Sequence, residues 1–207
     1  MELQYFGANC LRITTKKTQI VVDDNLALVG LKPVTKPDDL SLHTSHDFKG
    51  PVSRFVANTP GEYEIADVVI HGVAARSLMD EEGQASAVIY TVTADELKAA
   101  IIGHVHPDLN DDQLEKIGLV DIAIVPVGGN GYTLDGLGAL QVIKKLEPKI
   151  VIPTHYADKS IKYPVPQLPL DEALKGLAME PLETVDKYKP KPSELADSTH
   201  LVVLNRQ

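Results

Sequence analysis

Short runs in which apolar and polar residues alternate fill the first half of the chain. This period of two is typical of β-strands that bury one face. Before residue 95 the pattern predicts six strands, at residues 2–6, 10–14, 18–23, 53–58, 66–73 and 86–92. Turn residues separate the runs, as in Gly7-Ala8-Asn9 after the first one. The sequence therefore predicts a strand-rich first half.

From about residue 97 the pattern changes to fully apolar runs that alternate with helical periodicity. The apolar runs lie at 99–103, 122–127 and 149–153, with a last strand at 200–204; the predicted helices lie at 110–117, 133–146 and 170–177. Strands that alternate with helices pair in parallel. Together the halves predict two β-sheets packed face to face with helices outside, and we treat residues 1–207 as a single domain.

Composition narrows the class of protein. The chain has 207 residues, of which 43% are hydrophobic and 24% charged, as in an ordinary soluble protein. Its net charge of -9 argues against a nucleic-acid or anionic membrane partner. The single cysteine, Cys10, excludes disulfide frameworks and Cys-rich zinc sites. Without a signal-peptide pattern or a long apolar run, we expect a cytoplasmic protein and leave its oligomeric state open.

Histidines that follow strand-like runs are the main candidates for chemistry. Four of the seven do so: His43, His104, His106 and His155. His104, His106 and Asp108 form a His-x-His-x-Asp pattern, and imidazoles two apart on an extended segment face the same side. Imidazole and carboxylate are the usual ligands of zinc, iron or manganese in hydrolytic sites. A structural role is the better interpretation for the remaining histidines, His46, His71 and His200.

A glycine-rich loop follows the second apolar strand of this half and opens a predicted helix. Backbone amides at Gly128, Gly129, Gly131 and Thr133 could hold an anion next to the helix N-terminus. A flexible turn in which Thr133 or Asp135 caps the helix is at least as good an interpretation. The glycine spacing does not match the dinucleotide-binding fingerprint, which disfavours a nucleotide-binding domain.

Several stretches resemble the metallo-β-lactamase superfamily. They include 59–64 (Thr-Pro-Gly-Glu-Tyr-Glu), 124–129 (Ile-Val-Pro-Val-Gly-Gly) and 152–156 (Ile-Pro-Thr-His-Tyr), and the resemblance extends over nearly the whole chain. The branch that they resemble most is the ascorbate-6-phosphate lactonase-like hydrolases. The resemblance implies an α/β (α+β) fold, a four-layer αββα sandwich, and an ancestry of metal-dependent hydrolysis.

The metal motif of that superfamily is altered here. The family pattern His-x-His-x-Asp-His falls on residues 43–48, where His43 and Asp47 match it. Ser45 stands in place of the second histidine and Phe48 in place of the last one. With most of the family's ligand positions replaced, the resemblance makes a two-metal site improbable.

Two other positions complete the set that the resemblance implies. His155 matches the last histidine ligand of the family, and His104 stands where the bridging aspartate belongs. The predicted metal ligands are therefore His43, Asp47, His104 and His155, with Asp47 and His104 as the residues that handle protons.

Two hypotheses follow. The first is a hydrolase of an ester, lactone or phosphoester that acts on a small, anionic molecule through one zinc, manganese or iron ion. The alternative is a catalytically inactive, degenerate member without a metal, which has kept the fold as a ligand- or protein-binding domain.

Overall fold

The computed structural model describes all residues, 1–207, and contains two β-sheets. The smaller sheet has five strands in chain order: β1 (Glu2–Gly7), β2 (Cys10–Thr14), β3 (Gln19–Val22), β4 (Leu40–Leu42) and β5 (Phe55–Ala57). The first three strands are antiparallel, and β3, β4 and β5 pair in parallel. The carboxyl ends of these last three strands therefore share one edge.

The larger sheet has eight strands in the spatial order β12-β13-β11-β10-β9-β8-β7-β6. They are β6 (Gly61–Ile65), β7 (Val68–Ala75), β8 (Ala87–Ala94), β9 (Leu97–Ile101), β10 (Ile122–Pro126), β11 (Ile150–Thr154), β12 (Pro181–Val185) and β13 (His200–Leu204). The strands β9, β10, β11, β13 and β12 pair in parallel, as the alternation with helices predicts. The strands β6 to β9 form an antiparallel meander.

Three α-helices pack on the outer face of the larger sheet: α1 (Asp111–Ile117), α2 (Gly136–Leu146) and α3 (Leu170–Leu177). A capping box starts α1, in which the Asn110 side chain accepts from the Gln113 amide and Gln113 reaches back. The predicted second helix begins later than expected because Asp135 caps it, accepting a hydrogen bond from the Gly138 amide at 2.8 Å. The longest helix, α2, has 11 residues, and no helix has the length and apolar character of a membrane span.

The core has two layers, and the central strands supply residues to both. In β11, Ile150 and Ile152 pack between the two sheets, whereas Val151 packs beneath the helices. This alternation explains why β11 reads as an uninterrupted apolar run. Outside the smaller sheet lies a short 3-10 helix, Leu26–Val29, with its own small apolar cluster. The predicted αββα sandwich of two sheets with outer helices is confirmed.

Three strands were not predicted from the sequence: β4, β6 and β12. No strand was predicted between residues 58 and 66, but Gly61–Ile65 forms the edge strand β6, in which Glu62 pairs with His71 of β7. Pairing with a long neighbour outweighs the turn preference of the Pro60-Gly61 pair. The strand β4 has only three residues, all buried, which is too short to show a period.

Candidate functional site

His155 follows the last residue of β11 and has an unusual backbone conformation. Its φ of 59° lies in the left-handed region, which a histidine adopts at a cost of about 1 kcal/mol. Its amide donates to the Ala8 carbonyl at 2.8 Å, so the loop after β1 holds the turn in place. The side chain is 2% exposed. The strained turn places a buried imidazole where the two sheets meet.

Gln167 fixes the protonation of the His155 ring. Its Oε1 lies 3.0 Å from His155 Nδ1, and its Nε2 donates to the Val165 and Pro166 carbonyls at 2.7 and 3.3 Å. Because those two carbonyls accept hydrogen bonds, the amide nitrogen faces them and the oxygen faces the ring. His155 Nδ1 therefore carries the proton, and its Nε2 presents a free lone pair. Sequence reasoning missed Gln167, which lies in a proline-rich loop without a recognisable pattern.

His104 lies beside His155, just after the carboxyl end of β9, which β10 separates from β11 in the sheet. The two ring centroids are 4.8 Å apart at an interplanar angle of 86°. The Nε2 atom of His104 is buried and has no hydrogen-bond partner. The preceding Gly103 has a φ of 64°, and a Cβ there would come within 2.5 Å of Thr44. Only glycine therefore lets the chain turn His104 toward His155 at this point.

Tyrosine rings flank the two histidines. The Tyr132 ring lies 5.1 Å from His104 and 5.7 Å from His155, and Tyr163 lies 5.0 Å from His155. Burial lowers the pKa of His104 to about 3, and the nearby His155 contributes to this shift. Burial also lowers the pKa of His155 to about 4, although the hydrogen bond with Gln167 opposes it. Both imidazoles are neutral at pH 7, which is the form that coordinates a cation.

The other two predicted ligands do not join this pair. His43 is buried, and its ring packs against Phe48 with centroids 4.4 Å apart. Burial lowers the pKa of His43 to about 4, and its Nδ1 has no hydrogen-bond partner. Asp47 is exposed. No group of three His, Cys, Asp or Glu side chains lies together so that it could hold a metal ion. The predicted set of four ligands is thus not assembled, and Phe48 occupies the space beside His43.

A buried polar network joins the ends of both sheets near the histidine pair. Asp23 accepts hydrogen bonds from the amide and hydroxyl of Thr44 at 2.8 and 2.6 Å and from Asn9 Nδ2 at 2.7 Å. The Thr154 hydroxyl donates to Asn9 Oδ1 at 2.7 Å, which links β11 to the network. Burial raises the pKa of Asp23, although the bonds from Thr44 and Asn9 oppose the shift. The sequence signal for this network was the pair Asp23 and Asp24, which follows the apolar strand β3. The hydrogen-bond partners of Asp23 were not predictable from the sequence.

Comparisons with known proteins agree with this fold. A sequence profile of the beta-lactamase superfamily domain matches residues 2–155. The chain belongs to the metallo-β-lactamase superfamily. A candidate zinc-dependent hydrolase of that superfamily from Thermotoga maritima has a similar structure, with a TM-score of 0.76 and 26% identity. That match covers 100% of this chain and 99% of the other.

Two curated relatives match shorter segments. A UPF0173 metal-dependent hydrolase from Thermoplasma acidophilum is 46% identical over 46 residues, 21% of this chain and 20% of that protein. A UPF0173 metal-dependent hydrolase from Enterococcus faecalis is 33% identical over 66 residues, 32% of this chain and 29% of that protein. The matches therefore span less than a third of either relative. The lactonase-like branch suggested by the sequence is not singled out by these relatives.

The names of these superfamily relatives imply a divalent metal. The side chains at this site supply only part of the ligand set that such a metal normally has. His104 and His155 are neutral imidazoles in contact, and one of them has a buried nitrogen without a partner. They offer two nitrogen ligands to one cation, one fewer than the roughly three protein ligands of a hydrolytic metal, because no third His, Cys, Asp or Glu joins them. Two imidazoles are too few to hold two metals.

The remaining candidates lie elsewhere or are engaged. The Nδ1 atom of His106 accepts from the Asp108 amide at 3.3 Å, and His106 lines a different cavity, of about 530 Å³. In the glycine-rich loop, the Gly129 amide donates to Thr133 Oγ1 at 2.9 Å and to the Leu134 carbonyl at 3.0 Å. The loop thus uses one of its main donors internally. Anion binding at Gly128, Gly129, Gly131 and Thr133 stays a prediction.

Proposed function

We propose that this protein is a metal-dependent hydrolase of an ester, lactone or phosphoester, with an altered site that holds one metal ion. His104 and His155 are its two imidazole ligands, and the ion is zinc, manganese or iron. One observation carries the proposal: the Nε2 atom of His104 is buried without a partner next to His155, whose other nitrogen is engaged by Gln167. Unpaired buried nitrogen is costly unless something binds it.

Each residue of the site has a separate task. A divalent cation, when bound, supplies Lewis acidity toward a carbonyl or phosphoryl oxygen. Gln167 holds His155 in the tautomer whose Nε2 can act as a ligand. The rings of Tyr132 and Tyr163 flank the pair and limit the access of water. Lactones are included among the proposed substrates because the sequence resembles the lactonase-like branch.

The proposal leaves out two residues of the set expected from the sequence. His43 packs against Phe48, and Asp47 is exposed, so neither contributes a ligand to the pair. The proton-handling role expected for Asp47 is dropped for the same reason. Of the two residues expected to handle protons, only His104 then remains beside His155.

Metal content and hydrolysis, measured on the same preparations, test the proposal. The full chain is purified without chelator, loaded with zinc, manganese or iron, and assayed on aryl esters, lactones and aryl phosphoesters. We expect about one ion per chain and turnover that requires it. The substitutions His104→Ala and His155→Ala should abolish both, whereas His46→Ala, at an exposed histidine, should leave both unchanged.

A second candidate function is a ligand-binding domain without catalysis. The observation that favours it is the lack of a third metal ligand beside the histidine pair. Less than about a tenth of an ion per chain after loading, with no turnover on any substrate class, would refute the hydrolase and favour this candidate. Metal binding without turnover would refute the proposed reaction and keep only the site.

A further inference from the structure

A small cavity opens next to the histidine pair. Its volume is about 230 Å³, and His155, Tyr132 and Tyr163 form part of its wall. Much of the remaining wall is apolar and includes Leu28, which is 80% exposed. Cavities that hold drug-sized ligands are usually about 300–1,000 Å³. This cavity therefore suits a small molecule with an apolar body.

Three polar side chains of this cavity have no partner in the protein. The hydroxyl of Tyr163 donates to a backbone carbonyl at 2.9 Å, but the hydroxyl of Tyr132 makes no hydrogen bond. The Oδ1 atom of Asn25 is buried and unpaired. Lys162 takes part in none of the ion pairs of the structure. The buried, unpaired atom of Asn25 points to a ligand that satisfies it, and Tyr132 and Lys162 are free to contact the same ligand.

Lys162 is held in place although its side chain is exposed. Its backbone amide donates to the Val29 carbonyl at 2.9 Å. Its stem lies over Gly30, where a Cβ would come 3.4 Å from Lys162 Cδ. Gly30 has a φ of 85° and ends the 3-10 helix, so the lysine stem crosses that helix end in close contact. The stem of Lys162 thus lies against the end of the 3-10 helix, beside the cavity that the residue lines.

Lys162 supplies the only charged group among the residues that line this cavity. The ammonium of Lys162 and the hydroxyl of Tyr132 donate hydrogen bonds. The Asn25 side chain also donates when its amide group is turned over, which exchanges the positions of Oδ1 and Nδ2. No aspartate or glutamate lines the cavity, although the whole chain has a net charge of -9. A cation and donors without a carboxylate select for negative charge.

We propose that this cavity binds the oxyanion group, a carboxylate or a phosphate, of a small substrate. Lys162, Tyr132 and Asn25 donate to the oxyanion, and the apolar body of the substrate lies against Leu28 and the tyrosine rings. The opposite end of the ligand then faces His155. The assignment of this ligand as a substrate rests on the proposed function, but binding of the oxyanion needs neither a metal nor turnover.

Binding to metal-free protein tests the proposal. The full chain is stripped of metal, dialysed, and titrated with phenyl phosphate, benzoate, benzyl alcohol and benzylamine while NMR signals of the tyrosine rings are followed. We expect both anions, or one of them, to bind at least about tenfold more tightly than the alcohol, a difference of about 1.4 kcal/mol, because only the anions pair with the Lys162 ammonium. The better anion identifies the group as phosphate or carboxylate. Affinity should fall as salt is raised.

Matched variants locate the site. Lys162→Gln should weaken anion binding about tenfold, and Tyr132→Phe, which keeps the ring, should weaken it about threefold. Lys159→Gln, at an exposed lysine of the same loop, should leave the affinity unchanged. Equal affinity for phenyl phosphate, benzoate and benzyl alcohol, or full anion affinity in Lys162→Gln, would overturn the proposal. Because anion binding is measured on metal-free protein, its outcome does not depend on whether the hydrolase assay succeeds or fails.

Discussion

Replacement of Gln167 by methionine should change the tautomer of His155. Methionine keeps an unbranched side chain of similar size, but its thioether sulfur is only a weak acceptor for a hydrogen bond from the ring. The Nδ1 proton of His155 would then lie in a nearly closed environment, since the side chain is 2% exposed. The perturbation therefore removes one acceptor and leaves the packing of the loop largely intact.

The magnitude follows from the hydrogen bonds of Gln167. An unpaired buried N–H costs about 1–3 kcal/mol, and moving the proton to Nε2 relieves that cost. A loss of about 1.4 kcal/mol changes a tautomer ratio tenfold, so the wild-type preference for Nδ1–H should be largely lost. Stability should fall by about 1–3 kcal/mol as well, because the carbonyls of Val165 and Pro166 lose their donor. Removal of a group that orients a metal ligand typically costs about 10–100-fold in metal affinity.

Nitrogen NMR measures the result directly. In ¹⁵N-labelled protein at pH 7.5, where the imidazole is neutral, two-bond correlations distinguish the protonated ring nitrogen from the unprotonated one. We expect protonated Nδ1 in the wild type and a large Nε2–H population in Gln167→Met. The control Gln84→Met, at an exposed glutamine, should show the wild-type pattern. An Nε2–H tautomer in the wild type, or an unchanged tautomer in Gln167→Met, would refute the reasoning.

Two further predictions concern stability, measured by urea denaturation. Gly103→Ala should destabilise the fold by about 2–4 kcal/mol, because its φ is left-handed and the new Cβ would meet Thr44 at 2.5 Å. The control Gly83→Ala, with a φ of 89° and nothing within 4 Å, should cost about 1 kcal/mol. Equal costs for the two variants would contradict the close contact at Gly103. Burial raises the pKa of Asp158, but hydrogen bonds, chiefly the 2.6 Å bond from Arg206, outweigh it and lower the pKa overall, so its stabilising effect is present above about pH 4 and is lost as pH falls through the folded-state pKa. Asp158→Asn should therefore cost about 1 kcal/mol at pH 7 and little near pH 3, and a loss of equal size at both pH values would contradict this.

The strands of the larger sheet were predictable because their signals are local. An apolar run such as 150–154, bounded by a helix and a polar end, predicts a buried parallel strand without any knowledge of its neighbours. The position of His155 at the carboxyl end of that strand followed from the same pattern. The strand β4 was missed because its three residues pair with neighbours distant in sequence.

The composition of the site was less predictable, since it depends on how loops close. Gln167 and Tyr163 lie in the proline-rich segment 157–168, and nothing in that segment indicates that its side chains reach His155. The contact of His104 with His155 could be expected from strand order, because β9 and β11 both flank β10. The separation of His43 from that pair could not, because it depends on how the Phe48 ring packs.

A crystallographic metal position tests the central claim most directly. Crystals of the full chain are soaked with zinc, and diffraction is recorded above and below the zinc absorption edge. The account predicts one anomalous peak per chain at the histidine pair, within about 2.1 Å of a ring nitrogen of both His104 and His155. No peak at the pair, two adjacent peaks there, or peaks only at exposed histidines such as His46 would contradict it.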